Sequence, residues 1–409
     1  MNKILNSKKF LTLIGFFGLY LMATGISWLV FSSLASETTA TPKELTGLEA
    51  ERARIAALPK TEECPLNGAK YTKIEREIWD KRSPMAVVIE NHVDARPQSG
   101  ISRADIVYEV VAEGGITRFL GIFYCAAAKE DVTLAPIRSA RVYLIDWAAE
   151  YGEYPLFVHF GGANNICGNC PGGVKPKGTV AKEVMALEKL ISMGWRHAKG
   201  NALDGGANVS YPAIKRDQYR LGDNPAAWEH SAVGSSDLLF NLGIERGFNG
   251  KTADGRMWYE DFISWRFEDE KAATTPTASK ISFEFWSNKP DYNVEWKYDA
   301  NSNSYLRFNG GKEHKDWEFD KPQLSAKNVV VIFVKEKGPV DQELHMFYQT
   351  IGRGKAIFFK NGEVIEGTWE KASQTSRTRF YDDNGKEISF VRGSIWIEAL
   401  PEGNEIVYN

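Results

Sequence analysis

From Pro84 onward the chain reads MAVVIENHVDARPQSG, ADIVYEVVAEGGITRF and APIRSARVYLIDWAAEY, in which short apolar, β-branched runs are repeatedly broken by charge. Runs of this kind fit strands covered on both faces, so the fold must supply a layered sheet. Met85–Asn91 reads as one buried strand. Ile106–Val111 and Thr117–Cys125 read as a hairpin about Gly114-Gly115, and both faces of FLGIFYC are apolar, which suits a central position. The breaks fall at Asn91, His92, Arg96, Glu109, Glu113, Arg118, Arg138 and Arg141. Buried strands seldom carry so many ionisable groups at their ends, and this makes the stretch the candidate site.

Arg138–Tyr151 has helical spacing after Pro136, and Pro155–Phe160 is a further strand. Thr179–Trp195 is the clearest helix, with Thr179 as its N-cap, and Ser231–Leu242 is another. Alternating strands and helices predict an α/β domain with a mixed sheet and flanking helices over 65–268. Lys271–Ser279 (KAATTPTAS) marks a linker at 269–280. Beyond it lie short strands at Ile281–Trp286, Asn293–Tyr298, Ser304–Phe308, Val329–Val334, Leu344–Tyr348, Lys355–Phe359, Thr378–Phe380 and Ile395–Glu398. Asn-Gly turns punctuate them, which predicts an all-β antiparallel domain over 281–409. The tryptophans of that half read mostly as its core.

The first residues set the compartment. Phe10 to Phe31 is 22 residues without a charge, preceded by Lys3, Lys8 and Lys9. That is enough to cross a hydrocarbon core of about 30 Å, with the lysines holding 1–9 in the cytoplasm. The expectation is a single-pass anchor at 10–31, a polar spacer over 32–64 and an extracytoplasmic bulk in the cell envelope. A cleaved signal peptide ending near Ser33-Leu34-Ala35 is the rival reading. A lipid-modified cysteine is not, because the first cysteine is Cys64. Cys64, Cys125, Cys167 and Cys170 suit an oxidising exterior, with Cys64–Cys125 and Cys167–Cys170 the expected bridges among three possible connectivities.

The formal net charge of −3 is spread through the chain, so no basic face for nucleic acid is expected. Arg138 and Arg141, read as one helical turn apart at a helix start, oppose the macrodipole. Either a ligand anion or internal carboxylates such as Glu109, Glu113 or Asp105 must answer them. His92, His159 and His230 follow strand ends or precede a helix, and they are candidates for a general base or metal ligands. Their spacing fits no local metal motif, so no metal and no cofactor is assigned. No G-x-S-x-G elbow, Walker loop or dinucleotide fingerprint is present, and the setting of Cys167 and Cys170 does not suit a redox motif.

The strings ENHVDARPQSGISRADIVYEVVAEGGITRFLGIFYC, PIRSARVYLIDWAAEY and HFGG resemble the YerB-like lipoprotein family, domain-of-unknown-function family 3048. NGEVIEGTWEK and DDNGKEISFVRGSIWIE resemble its second, β-rich domain. The resemblance covers most of residues 65–409 and implies an envelope-anchored protein of two domains. It implies no reaction. Here a transmembrane anchor stands where the family has a lipidated cysteine. Three functions follow as expectations: binding of an anionic envelope component through Arg96, Arg118, Arg138 and Arg141; a cell-wall hydrolase or transferase using the histidines; or a structural envelope scaffold.

Overall fold

The computed structural model describes residues 47–166 and 179–409. The chain divides into two compact units, residues 1–57 and 58–409. The described part of the first contains helix α1 (Gly47–Ala56), within the stretch read as a polar spacer. The expected anchor at 10–31, and Cys167 and Cys170, lie outside the described residues. Among the described residues no helix is long and apolar enough to cross a membrane.

The second unit is mostly β with short helices. From its first half come β1 (Met85–Glu90), β2 (Ile106–Glu113), β3 (Ile116–Phe123), β4 (Leu156–His159) and β5 (Ala202–Asp204). Then follow β6 (Lys280–Phe283), β7 (Val294–Asp299) and β8 (Ser304–Asn309), and finally β9 (Asn328–Lys337), β10 (Gly352–Lys360), β11 (Glu363–Lys371), β12 (Arg379–Asp382) and β13 (Ile395–Pro401). One eleven-stranded sheet runs β12-β11-β10-β9-β13-β2-β3-β1-β4-β5, with Phe347–Gln349 beside β9. A second, six-stranded antiparallel sheet holds β8, β7 and β6.

This topology corrects the expectation of a separate antiparallel domain after residue 281. β13 pairs in parallel with β9 on one side and with β2 on the other, so both sequence halves share one sheet. The physical reason lies in composition. All six residues of MAVVIE and all seven of IWIEALP are buried, and strands apolar on both faces need covered, paired edges. Each buried Val, Ile or Leu contributes roughly 1.5–3 kcal/mol. Trp258, Trp265, Trp296, Trp369 and Trp396 are core residues.

Local chemistry sets the turns and helix ends. β10 and β11 meet at Asn361-Gly362, both with positive φ (56° and 82°), a two-residue hairpin turn of the primed type. In α2 (Lys73–Trp79) Thr72 and Glu75 form a reciprocal capping box. Cys64 and Cys125 are disulfide-bonded as expected, with Cα atoms 6.0 Å apart.

Three expected helices are shorter than their patterns. α3 is only Val142–Ala148, with Arg141 its N-cap in extended conformation. The residues before it are held straight: Arg138 N donates to Val88, Phe160 N to Arg138 O, and Ala140 N to Gly161 O. Their backbone groups serve β1 and β4, leaving none for a helical turn. The Thr179–Trp195 pattern becomes a 3₁₀ turn at Lys182–Val184 and α4 (Ala186–Ser192), and Thr179 does not cap it. Asn165 Oδ1 and Asp341 Oδ2 take the Val180 and Ala181 amides instead. The Ser231–Leu242 pattern begins as a strand, Ala232–Ser235. Ser235 then caps α5 (Ser236–Glu245) through the Leu238 amide.

Candidate functional site

The charged breaks separate into two clusters, one sealed and one half open. The sealed one lies between the sheets. Glu109 of β2 and Glu398 of β13 sit side by side in register, fully buried. Arg307 of β8 reaches both, with Nη1 2.8 Å from Glu398 Oε1 and Nη2 on Glu109 Oε2. Burial raises the Glu398 carboxyl well above the ordinary range, and the charge of Glu109 adds to this against the pull of Arg307. Two carboxyl groups sharing one guanidinium thus need only one negative charge.

Arg307 Nε donates to His314 Nδ1 at 3.0 Å, so His314 carries its proton on Nε2 and gives it to Gln98 Oε1 at 2.7 Å. Burial and the charges of Arg307 and Arg96 hold His314 well below its ordinary pKa, hence neutral. Gln98 Nε2 and Arg96 Nε both donate to Asn91 Oδ1. Asn91 Nδ2 reaches Thr117 (2.7 Å), Glu109 and Asn309. Asn91, Arg96 and Glu109, expected at a ligand pocket, therefore brace the two sheets. Asn91 is fully buried, and Arg96 lies over Tyr292.

The half-open cluster lies where Pro136–Arg141 passes the ends of β1 and β4. Glu90, the last residue of β1, is buried and takes Arg138 Nε at 3.0 Å and His230 Nδ1 at 2.8 Å. His230 stacks on His92, ring centroids 4.8 Å apart. Glu113, at the end of β2, takes Arg118 Nη2 and Arg141 Nη2, each at 2.6 Å. Burial would raise its carboxyl, but the two guanidiniums outweigh this and bring it down to about 2. Burial lowers Arg118 to about 10, Glu113 opposing and Arg141 and Arg138 adding to the fall.

Arg216 and Arg220 extend the cluster without, among the described residues, a carboxylate of their own. Arg216 Nη1 bonds the Trp228 carbonyl, and Arg220 bonds those of Ala95, Pro97 and His230. Burial lowers both, and the Arg138 charge lowers Arg216 further. The Arg138 side chain is 25% exposed, whereas Arg118 is 2% and Arg141 6%. Of these three, Arg138 is the guanidinium that faces solvent.

This geometry corrects the helix-end argument. Arg138 and Arg141 are not one helical turn apart on a helix face, and α3 is too short to act as an anion site. Internal carboxylates answer both arginines. His159 joins neither cluster, although β1 and β4 are parallel neighbours. Its Nδ1 lies 2.8 Å from Gly161 O, and burial lowers its pKa against the pull of Asp204, so it is a neutral structural imidazole.

Among the described residues, His92, Asp94 and His230 bring one ligand atom each within 4.8 Å of one another, a spacing that could hold a cation. Glu90 would orient His230 for that role, but Arg138 on the same carboxylate opposes a cation there. Cys64, Asp105 and Cys125 also lie together, yet both sulfurs are spent in the disulfide.

Glu90, Arg216, Arg220, Arg307, His314 and Glu398 carry weight that sequence reasoning missed. For Glu398 a signal exists: like Glu109, it is a lone carboxylate inside an apolar run and demands a buried counter-charge. Arg216 and Arg220 offer none, because only the fold brings them to Glu90.

Residues 71–178 match the N-terminal domain, and residues 281–397 the C-terminal domain, of the protein family of unknown function DUF3048. The chain belongs to that family. It is 29% identical over 340 residues to "Putative lipoprotein YerB" of Bacillus subtilis (strain 168), across 83% of this chain and 86% of that protein. The crystal structure of the YerB protein from Bacillus subtilis is similar, with a TM-score of 0.64 and 25% identity. It covers 85% of this chain and 100% of its own.

Proposed function

We propose that the chain is a membrane-anchored, extracytoplasmic envelope protein that binds an anionic cell-wall component at the half-open arginine cluster. The anchor is the 10–31 segment, and the similarity to a lipoprotein-named relative supports an envelope location. One observation carries the binding reading. Arg118, Arg138, Arg141 and Arg216 gather around three carboxylates, Glu90, Glu113 and the exposed Glu229, leaving one positive charge in excess at an edge that meets solvent. Such a surplus in a partly desolvated edge attracts anions and weakens with salt. Carboxylates of wall peptides or glycans are the ligands of matching charge.

The test is co-sedimentation of the full chain with purified insoluble cell wall. Wild type pellets at low salt and is released as salt rises. Arg138→Gln with Arg216→Gln stays in the supernatant while still folded, its melting temperature lowered only by the lost Arg138–Glu90 pair. Equal pelleting of wild type and variant would remove the reading.

A second reading, a metal-assisted hydrolase or transferase, draws on His92, Asp94 and His230. Elemental analysis after zinc loading decides it: stoichiometric zinc in wild type, lost in His92→Ala with His230→Ala, would favour it. Binding of no zinc would discard it.

A further inference from the structure

Among the large apolar groups that the fold leaves uncovered at the half-open edge, Trp228 is the one bonded through its backbone to an arginine of the cluster. Trp228 is 60% exposed, while seven of the other tryptophans are exposed by 4% or less. It belongs to the 3₁₀ turn Trp228–His230, in which every residue is tied to the charged cluster. The Trp228 carbonyl receives Arg216 Nη1 at 2.6 Å and Ser231 Oγ at 2.7 Å. The Glu229 carbonyl receives Arg138 Nη1 at 2.6 Å. His230 is held by Glu90 and stacked on His92. The indole is therefore a rigid plate, fixed at its backbone and open at its ring.

The Arg216 guanidinium lies 3.9 Å over Phe160 and 5.3 Å from the Trp228 ring centroid. That contact leaves most of the indole free. An apolar plate beside solvent-facing guanidiniums suits a ligand that offers a flat C–H face and an acidic group a few ångströms apart. A simple anion would leave the indole unused. An apolar peptide side chain would leave the surrounding hydrogen-bonding groups of Arg138, Arg216 and His92 unused.

We infer that the ligand of this edge is an acidic sugar, whose pyranose ring stacks on Trp228 while its carboxylate meets Arg138 and Arg216. The inference rests on the anion-binding reading above and narrows it to a substrate class.

Three probes separate ring from charge. N-acetylmuramic acid has both, N-acetylglucosamine has a matching ring without the carboxylate, and lactate has the carboxylate without the ring. Affinities for the full chain are read by ligand-observed NMR. N-acetylmuramic acid is expected to bind about tenfold more tightly than lactate, the advantage one stacked aromatic supplies, and more tightly than N-acetylglucosamine through its carboxylate. Trp228→Ala, at an exposed position, should erase its advantage over lactate and leave lactate binding and the melting temperature unchanged. Equal binding of N-acetylmuramic acid and lactate by wild type would overturn the sugar assignment while sparing the anion reading. So would an advantage that survives Trp228→Ala. Binding of neither carboxylate probe would overturn both.

Discussion

Glu113 holds two guanidiniums with one carboxylate, and its protonation state follows from that. Its folded-state pKa of about 2 lies below the ordinary 4.5, so it stabilises the fold above the ordinary value. That contribution is lost as pH falls from about 4.5 toward 2. Glu113→Gln should therefore cost about 2 kcal/mol at neutral pH, the pairing energy being discounted for the quarter of the side chain that meets solvent. The difference between variant and wild type should shrink to nothing near pH 2 in denaturant titrations. A gap that persists there would contradict the pairing. At this scale the sequence was informative about residue type and poor about partner. Glu113, Arg118, Arg138 and Arg141 were all legible as candidates because charge interrupts apolar runs. Their allegiance was not, because Arg216 and Glu90 meet only through tertiary packing.

Elements are tied together by the sealed network and by one covalent staple. Arg307 of β8 is the cation for Glu109 of β2 and, through Glu398, for β13. Arg307→Met leaves a buried carboxylate without its partner and should cost about 3–5 kcal/mol in chemical denaturation. A loss below 1 kcal/mol would show the network to be dispensable. The disulfide joins Cys125, just past β3, to a residue 61 positions earlier. Cys64→Ser with Cys125→Ser should lower stability by about 2–4 kcal/mol. Strand positions were readable from the sequence because β-branched runs and the Asn361-Gly362 turn are local signals. Helix starts were not. Pattern alone placed Arg138 on a helix, whereas its hydrogen bonds to the Val88 carbonyl and from the Phe160 amide, both distant in sequence, keep it extended.

For the whole molecule, the parallel pairing of β13 with β2 makes one sheet from two sequence halves. Residues 281–409 alone would present β13 as a bare apolar edge, a site for aggregation. Expressed by itself, that segment should aggregate or lack a cooperative transition. The full chain should give a single unfolding transition for the unit 58–409 by both far-UV and tryptophan signals. Two separated transitions would show the halves to be independent. The break at KAATTPTAS was legible as a composition change, but pattern within each half could not reveal that β2 and β13 are neighbours.

The account divides the charged residues into a sealed cluster that braces and a half-open one that binds, and a paired measurement tests that division most directly. Arg138→Gln with Arg216→Gln is compared with Arg307→Met for both melting temperature and retention on purified cell wall. The account predicts that the first loses retention while staying folded, with a smaller fall in melting temperature than the second, and that the second, when folded, is still retained. Retention unaffected by the first, or abolished by the second while it remains folded, would contradict it.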